Sequence, residues 1–551
     1  MPLKSNHLSS RFTPLRRWGK LPGQNRLQGI NRGLLLFCIS AAYYYLFLRV
    51  LWRVGDEGTL VYGAQLVAEG ALPCRDFFEV MGPGSFYWLA LFFKIFGTHL
   101  MVARGVLLVT SSCTIVLLYW MTRRLYQGPF ERLPAYFFMV ISIPLWPTTN
   151  HHWDSIFFAL LALAAFLLWQ DKGKAWYLVS AGLLAGITSC IIQQKGLLLV
   201  IALLLVIWVN GLRSAAPKAR LINHSLILLA GYVVVGLVVI SLYYVAGGLS
   251  DLVYANLIWP FSNYHQVNSV PYGYELFELF WPQWHSILQL FLPPIIILPI
   301  SIFLWIPLLI IFALPAIILL LTVVSLVTKQ GSYRIFEARL LPFWGTGLAL
   351  FLSEMHRRDI FHLIYGSPLL LVLLLVLWNE CWQNRQVLRR VGLVVVSLCL
   401  ILSGVFNALT PLAAQEELVT RRGAIWSHKQ DDALKFLQEH LQPKEEVFVY
   451  PYYPMYYFLA DLKNPTRYSI LLYHINTEAQ FQEAIDSLEK KKVKYILWDT
   501  RLENQNMQIW FPRYEQPVKT QMLLENYFKE HYEIVDIKNG SRILKRLEQN
   551  N

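Results

Sequence analysis

Residues 34–52 read LLLFCISAAYYYLFLRVLW, an apolar run interrupted by a single charge, Arg49. A helix needs roughly 20 apolar residues to cross the hydrocarbon core of a bilayer, and this run has that length. A basic arm, residues 1–32, precedes it, but no small-residue cleavage site follows. We therefore expect a retained first membrane span rather than a signal peptide.

The same pattern recurs along the chain, whose 551 residues are 56% hydrophobic and 15% charged, with a mean hydropathy of +0.42. Soluble domains carry about 25% charged residues, which excludes a wholly water-soluble protein. The expected fold class is a polytopic α-helical membrane protein. We predict about eleven transmembrane helices, at residues 34–52, 102–121, 133–147, 155–169, 176–192, 196–210, 225–245, within 287–327, 338–353, 360–382 and 391–411.

The segment 287–327 is the ambiguous part of this pattern, because it is nearly uninterrupted apolar sequence that contains several prolines. Two spans there would place the C-terminus in the cytoplasm, whereas one span plus an interfacial or re-entrant piece would place it outside. We expect one span, because the basic residues Arg385, Arg389 and Arg390 then stay on the cytoplasmic side.

The net charge of +13 follows this topology. Residues 1–32 carry seven Lys or Arg and no acidic residue, and basic residues return in every second predicted loop. Positive loops are retained in the cytoplasm, so the N-terminal arm lies inside. We expect a multi-pass protein of the plasma (inner) membrane, with the lipid bilayer as a partner and no nucleic-acid partner.

Residues 412–551 have a different composition and predict a small extracytoplasmic α/β domain. Short strands are expected at residues 447–450, 494–498, 533–537 and 542–547. Amphipathic helices are expected at residues 477–492 and 519–531.

Polar side chains collect at the outer ends of the predicted spans. They are Asp56, Glu57, Asp76, Glu79, His151, His152, Asp154, Lys195, Glu354, His356, Arg357, Arg358, Asp359 and His362. A single charged residue at a span end often only anchors its helix in the interface. Ionisable groups near a membrane also mark functional sites, and several loops that converge on one face favour a site.

Asp56 and Glu57 are adjacent carboxylates directly after the first span. They repel each other, which suits a proton acceptor beside an orienting group, or a metal site. His151, His152 and Asp154 could also bind a metal ion, but their spacing matches no defined metal motif. We expect no required cofactor, with a divalent metal ion as the alternative.

Three stretches of the first outer loop carry a family resemblance: GDEGTLVY at residues 55–62, AEGALPCRDFFE at residues 68–79 and GPGSFYWL at residues 82–89. They resemble the first outer loop of GT-C glycosyltransferases, in the branch of protein O-mannosyltransferases and lipid A aminoarabinose transferases. Lys195 with Gly196 is similar to a family Lys-Gly element, and Arg358, Asp359 and His362 are similar to an Arg-Asp-x-x-His element. Cys74 stands where a tyrosine is common, and Gly82-Pro83-Gly84 replaces a Pro-Pro pair.

The resemblance implies a GT-C-like catalytic domain at residues 33–411, with a first outer loop at residues 53–101. Short helices along the outer membrane face are expected at residues 60–70 and 86–97. The implied donor is a sugar on a polyprenyl phosphate, and the acceptor is a lipid, a glycan or a protein. An acidic residue just after the first span is catalytic in this family, which points to Asp56.

The chemistry is a displacement at an anomeric carbon with a lipid phosphate leaving, and a single attack inverts the configuration. The acceptor's proton needs a base, for which Asp56 is the first candidate and Glu57 the second. The leaving phosphate needs cations, for which the candidates are Lys195, Arg357 and Arg358. The candidates for binding the sugar or the acceptor are Asp76, His151, His152, Asp154, Asp359 and His362.

Two other classes of function stay open at this point. A transporter or flippase of a lipid-linked sugar would place its polar residues near the bilayer midplane, whereas here they lie at outer ends. A non-catalytic scaffold for the C-terminal domain leaves the outer charges unexplained.

Overall fold

A computed structural model describes residues 26–52, 55–264, 268–276, 293–327, 337–500, 508, 510–515, 522–538 and 540–548. The helices of its apolar part are α1 (Arg26–Leu48), α2 (Gly55–Ala68), α3 (Gly84–Phe96), α4 (Leu100–Leu125), α5 (Leu133–Ile141), α6 (His151–Lys172), α7 (Ala175–Ile191), α8 (Gln193–Arg213), α9 (Lys218–Val245), α10 (Leu249–Val253), α11 (Pro294–Val327), α12 (Leu341–Ser353), α13 (Ile360–Gly366), α14 (Pro368–Cys381) and α15 (Gln386–Leu409). Two π-helical turns, Tyr254–Ile258 and Pro260–Tyr264, follow α10.

The predicted fold class, a polytopic α-helical membrane protein, is confirmed, and each of the eleven predicted segments contains a helix. Within the described residues, seven helices are long and apolar enough to cross a membrane: α1, α4, α6, α8, α9, α11 and α15. The pair α13 and α14 makes an eighth if it is counted as one span, although the two helices meet at a bend of 69°.

Within the described residues, fewer helices reach the length of a full span than the eleven segments that were predicted. Helices α5, α7 and α12 have 9, 17 and 13 residues, and a helix rises about 1.5 Å per residue, so α5 and α12 are well short of the bilayer core. Hydropathy alone does not distinguish a full span from a short helix that is apolar because its neighbours cover it.

The described part of segment 287–327, residues 293–327, contains one helix, α11, as the single-span interpretation predicts. Its prolines do not divide it into two helices, and the helix runs without a break over 34 residues. The expected interfacial or re-entrant piece falls partly on residues 287–292, which lie outside the described residues.

The two short helices expected in the first outer loop are present as α2 and α3. Helix α2 begins five positions earlier than the predicted residue 60, so Asp56 and Glu57 occupy its first turn. Carboxylates are favoured there by the free N–H groups and the dipole of the helix. Successive positions on a helix point about 100° apart, so the two adjacent carboxylates face different surroundings.

The C-terminal domain contains the strands β1 (Glu416–Thr420), β2 (Gly423–Ser427), β3 (Phe448–Tyr450), β4 (Tyr495–Asp499), β5 (Tyr532–Lys538) and β6 (Ser541–Arg546). Its helices are α16 (Asp432–His440), α17 (Met455–Leu459), α18 (Glu478–Lys491) and α19 (Leu523–His531). Strands β1 and β2 form a hairpin, and the other four form a sheet in the order β3-β4-β6-β5, with β3 and β4 parallel. All four predicted strands are present, whereas the hairpin, α16 and α17 were not predicted.

The C-terminal domain packs directly on the first outer loop. One hydrophobic core joins buried residues of α2 and α3, such as Leu60 and Phe86, to residues of the C-terminal domain, such as Tyr457 and Leu497. The domain therefore lies on the same side of the helical part as Asp56.

Candidate functional site

The first turn of α2 separates its two carboxylates. Glu57 is fully buried, and its two oxygens accept hydrogen bonds from Nε of Arg104 at 2.9 Å and Nη2 of Arg104 at 2.6 Å. It also accepts from the backbone N–H and the hydroxyl of Thr149, both at 3.2 Å. Arg104 in turn donates to the carbonyl of Leu48 at 2.7 Å. Glu57 is thus saturated by partners that fix α2 to α1 and α4, which makes it a framework residue rather than a candidate base.

Asp56 is exposed, in contrast to its neighbour. Its Oδ1 accepts a hydrogen bond from the phenol of Tyr452, in the C-terminal domain. Its Oδ2 has no hydrogen-bond partner among the described residues. Asp56 thus has a fixed carboxylate with one oxygen free, as a base for an incoming hydroxyl requires.

Glu79 brings a further carboxyl group close to Asp56. It is buried, with 6% of its surface exposed, and its Oε1 accepts from the backbone N–H of Val80 at 3.1 Å. Burial raises the pKa of Glu79 to about 7, and the charge of Asp56 contributes to the same direction. Glu79 therefore changes its charge near neutral pH, beside the candidate base.

A second group of charges surrounds Glu354, just after α12. Lys195 and Glu354 are both fully buried, and Nζ of Lys195 lies 2.5 Å from Oε1 of Glu354. Lys195 also donates to the hydroxyl of Ser155 at 2.7 Å. Nδ1 of His152 lies 3.2 Å from Oε2 of Glu354. The predicted phosphate ligand Lys195 is consequently held in an internal ion pair.

A third group is built around Asp359, the N-cap of α13. Nδ1 of His362 lies 2.7 Å from Oδ1 of Asp359, and Arg357 donates its Nε–H to the other carboxylate oxygen. Burial opposes the charged form of Asp359, but His362 and Arg357 hold the pKa of this carboxyl well below its usual range. Asp359 is therefore an ionised, fully engaged carboxylate.

Arg357 and Arg358 form a second pair of adjacent residues in which one side chain is buried and the other is exposed. Arg357 is buried, and it also donates to the side-chain oxygen of Asn268 at 2.7 Å and to the carbonyl of Trp510 at 2.7 Å. Arg358 is exposed, and its guanidinium has no partner in the described part of the chain. Of the three predicted phosphate ligands, Arg358 is the one whose charge is available.

Aromatic and histidine rings connect the groups. The ring of His152 stacks on Tyr365 at 4.3 Å between centroids and lies 4.8 Å from the ring of His362. The ring of His151 lies 4.2 Å from that of His152. Asn150 caps α6 and donates to the hydroxyl of Tyr365 at 3.1 Å. The predicted residues His151, His152 and His362 therefore belong to one cluster.

The charges of the Asp56 group and of the Asp359 group both act on the phenol of Tyr264. Burial raises the pKa of its phenol to about 12, the charge of Arg357 opposes this, and the carboxylates Asp56, Glu79 and Asp359 add to it. A single phenol senses charges from the first outer loop and from the loop before α13. The two groups thus face a common region of the molecule.

Asp76 and Asp154 have local partners. Asp76 forms an ion pair with Arg75 at 2.7 Å and accepts from the backbone N–H of Leu72, also at 2.7 Å. Asp154 is buried and accepts from the hydroxyl of Ser85 at 2.7 Å, which joins α6 to the start of α3. These contacts do not bring either carboxylate to the Glu354 or Asp359 groups.

His151, His152 and Asp154 do not form the group of side chains that is close enough together to bind a metal ion. Among the described residues, that group is His152, Glu354 and His362, whose ligand atoms lie within 4.8 Å of one another. Two histidines and a carboxylate are ligand types of a zinc site. The ammonium of Lys195 already neutralises the carboxylate of this set.

The sequence did not place Tyr452, Tyr264 or Arg104 in the site; Tyr452 belongs to a tyrosine-rich stretch, residues 450–457, that could stack on carbohydrate or serve packing. Arg104 could have been found, because an arginine inside a predicted span needs a buried partner. The two tyrosines carried no such signal, since their position beside Asp56 depends on the tertiary fold.

The sequence matches no protein-family model and no curated protein. The fold is similar to that of the oligosaccharyltransferase of Archaeoglobus fulgidus in its apo form, with 14% identity over 94% of this chain and 75% of that chain and a TM-score of 0.49. The same enzyme in complex with Zn and sulfate gives 14% identity, coverage of 93% and 73%, and a TM-score of 0.48.

ArnT from Cupriavidus metallidurans, bound to undecaprenyl phosphate, is similar with 13% identity over 95% of this chain and 98% of that chain, at a TM-score of 0.49. At TM-scores below 0.5 these similarities decide neither donor nor acceptor, so the proposed function rests on the chain's own residues.

Proposed function

We propose that this protein is an integral membrane glycosyltransferase that moves a sugar from a polyprenyl-phosphate donor to an extracytoplasmic acceptor. The observation that carries the proposal is the contrast in the first turn of α2. Glu57 is buried and saturated by Arg104, whereas Asp56 is exposed with one carboxylate oxygen free. A rigid frame that presents one unsaturated carboxylate is what general base catalysis needs.

In the proposed step, the acceptor hydroxyl attacks the anomeric carbon while its proton passes to Oδ2 of Asp56. The bond from the anomeric carbon to the phosphate oxygen breaks, and its electron pair stays on the leaving polyprenyl phosphate. The attack comes from the face opposite the leaving group, so the configuration inverts. The same step applies to a hexose and to a pentose, and the contacts with the sugar hydroxyls select between them.

Arg358 is the proposed ligand of the donor phosphate, because it is the exposed cation of the loop before α13. A guanidinium binds phosphate oxygens in a bidentate manner and stabilises the charge that develops on the leaving group. Lys195 and Arg357 are proposed to act indirectly, since their charges are already matched by Glu354 and Asp359.

His151, His152 and His362 are proposed to bind sugar or acceptor hydroxyls from their shared cluster, with Asp359 orienting His362. Asp154 and Asp76 are proposed to shape the walls of the site through Ser85 and Arg75. The proposed step uses no metal ion, because the guanidinium of Arg358 is proposed to supply the positive charge at the leaving phosphate.

The test uses membranes from a strain of the source organism that lacks the gene, which supply the acceptor. Purified full-length protein and a panel of undecaprenyl-phosphate-linked hexoses and pentoses are added, and release of undecaprenyl phosphate is measured. We expect one donor to be consumed, and Asp56→Asn to lower the rate about 10²- to 10⁴-fold, the usual contribution of a general base.

The matched control is Glu69→Gln, an exposed carboxylate just after the same helix that pairs with Lys444. It should keep the wild-type rate. Full activity of Asp56→Asn would exclude the proposed base. Transport of the intact donor across vesicle membranes without sugar release would favour a flippase instead.

A further inference from the structure

We propose that Tyr452, in the C-terminal domain, is a positioning residue of this site: its phenol holds Oδ1 of Asp56 so that Oδ2 is presented to the acceptor hydroxyl. The C-terminal domain is then half of the active site rather than an appended platform. This role rests on the proposed function and deepens it.

The hydrogen bond itself is the first support. The phenol of Tyr452 donates to Oδ1 of Asp56, and the two residues are 396 positions apart in the sequence. An exposed carboxylate such as that of Asp56 can rotate about its side-chain bonds, and a donor fixed from a second element removes that freedom. A base fixed in this way spends more of its time in the reactive geometry.

The close approach of the two backbones is a second and independent support. A Cβ added to Gly55 would lie 2.4 Å from Cζ of Tyr452, so the tyrosine ring occupies the space beside the residue before Asp56. A Cβ added to Gly58 would lie 2.3 Å from the backbone nitrogen of Met455. The first turn of α2 thus has glycine at two positions, 55 and 58, where the C-terminal domain leaves no room for a Cβ.

The segment that carries Tyr452 is itself held rigidly. The hydroxyl of Tyr457 accepts from the backbone N–H of Val449 at 2.8 Å, inside the domain. The ring of Tyr457 lies 5.0 Å from the ring of Tyr62 on α2, and the hydroxyl of Tyr62 accepts from the backbone N–H of Asn464 at 3.0 Å. Tyr452 is therefore presented by a docked surface and not by a free loop.

The C-terminal domain also reaches the cationic side of the site. The carbonyl of Trp510 accepts from Nη2 of Arg357 at 2.7 Å, and the ring of Phe511 lies 5.2 Å from the guanidinium carbon of Arg357. Arg357 directly precedes Arg358, the proposed phosphate ligand. One domain thus contacts both the candidate base and the residue that supports the candidate phosphate ligand.

Two other roles for Tyr452 make different predictions. A purely structural contact would affect stability but not the turnover of the folded protein. A phenol that occupies the acceptor's own place would compete with the acceptor, so its removal would lower the apparent KM. A positioning residue instead lowers kcat and leaves the apparent KM nearly unchanged.

The test compares Tyr452→Phe with Tyr456→Phe in the full-length protein. Tyr456 is a fitting control, because its phenol also donates to a buried carboxylate, Asp431, at 3.2 Å, but within the C-terminal domain. Rates are measured with the undecaprenyl-phosphate donor panel against increasing amounts of acceptor membranes. We expect Tyr452→Phe to lower kcat by about 10- to 100-fold with an apparent KM within about threefold of wild type, as for a modest misplacement of a reacting group.

A double-mutant cycle of Asp56→Asn and Tyr452→Phe on the melting temperature tests the contact without any need for activity. We expect the double variant to lose less than the sum of the single losses. Equal kcat losses in Tyr452→Phe and Tyr456→Phe, a lowered KM in Tyr452→Phe, or additive melting shifts would each overturn the proposal. A coupled cycle in a wild-type protein that transfers no sugar would refute the proposed function and reduce Tyr452 to a structural contact.

Discussion

The regions around Asp56 and Glu354 both collect charges at the ends of helices, but the charges are paired in opposite ways. Around Glu354, the ammonium of Lys195 neutralises a carboxylate that is completely buried, and the ring of His152 lies beside it. Around Asp56, the carboxylate is exposed and its described partner is a neutral phenol.

The difference separates charges that build the site from charges that are left for chemistry. Burying an ion costs free energy unless it is paired. Glu354 and Lys195 therefore stabilise the fold only when both are present. An exposed carboxylate carries no such cost and can exchange a proton with a substrate. Breaking the first region should therefore damage the fold, and breaking the second should damage function.

The largest effect on stability is expected for Lys195→Met, which leaves Glu354 buried without its main counter-charge. Removal of one partner from a buried pair costs about 3–5 kcal/mol, so the melting temperature in detergent should fall strongly. The double variant Lys195→Met with Glu354→Gln should recover part of the loss. Lys174→Met, at an exposed lysine, is the control and should melt like wild type. Equal melting of both single lysine variants would contradict the assignment of Lys195 as a framework residue.

Glu79 gives an intermediate effect that depends on pH. Burial raises the pKa of Glu79 from its ordinary value of 4.5 to about 7. The protonated carboxyl therefore stabilises the folded state fully below pH 4.5, and this stabilisation is lost as the pH rises through 7. Glu79→Gln keeps a neutral group and avoids the loss. Its melting temperature relative to wild type should rise between pH 5 and pH 8, by the equivalent of up to about 3 kcal/mol. The exposed control Glu69→Gln should show a flat difference, and a flat difference for Glu79→Gln would argue that its carboxyl is solvated.

The smallest effect is expected for Arg358→Gln, which removes an exposed charge without leaving a buried partner. Loss of one charge-assisted contact costs about 1.5–3 kcal/mol, so binding of undecaprenyl phosphate should weaken by roughly 10- to 100-fold while the melting temperature stays constant. Binding is measured by the change in tryptophan fluorescence of the purified protein in detergent. Arg390→Gln, at an exposed arginine in the first turn of α15, serves as the control. Unchanged affinity of Arg358→Gln would move the phosphate site elsewhere.

The sequence was sufficient for the helical plan, because each apolar run of the membrane part corresponds to a helix. Hydropathy did not separate full spans from shorter helices, since short helices such as α5 and α12 are as apolar as the spans around them. In the C-terminal domain, short runs rich in strand-forming residues located β3 to β6. The prediction missed β1 and β2, which are short and are exposed at three of their five positions.

The sequence predicts which loops carry the polar residues of the site, but not which residue of each adjacent pair is buried and which is available for chemistry. Asp56 and Glu57 are adjacent and chemically alike, and only the buried Arg104 in α4 decides that Glu57 belongs to the frame. Arg357 and Arg358 form the same kind of ambiguous pair. Adjacent residues in sequence point in different directions, and their partners lie far along the chain.

The bond between Tyr452 and Asp56 also sets an order of events during biosynthesis. Glu57 and Arg104 are separated by 47 positions, so their ion pair can form early in synthesis, whereas Asp56 must wait for a residue 396 positions later. At a translation rate of about 5–20 residues per second, the delay is roughly 20–80 s. The nascent protein therefore holds its frame in the membrane before its candidate base has a partner, and the site is completed only when the last domain folds onto the first loop.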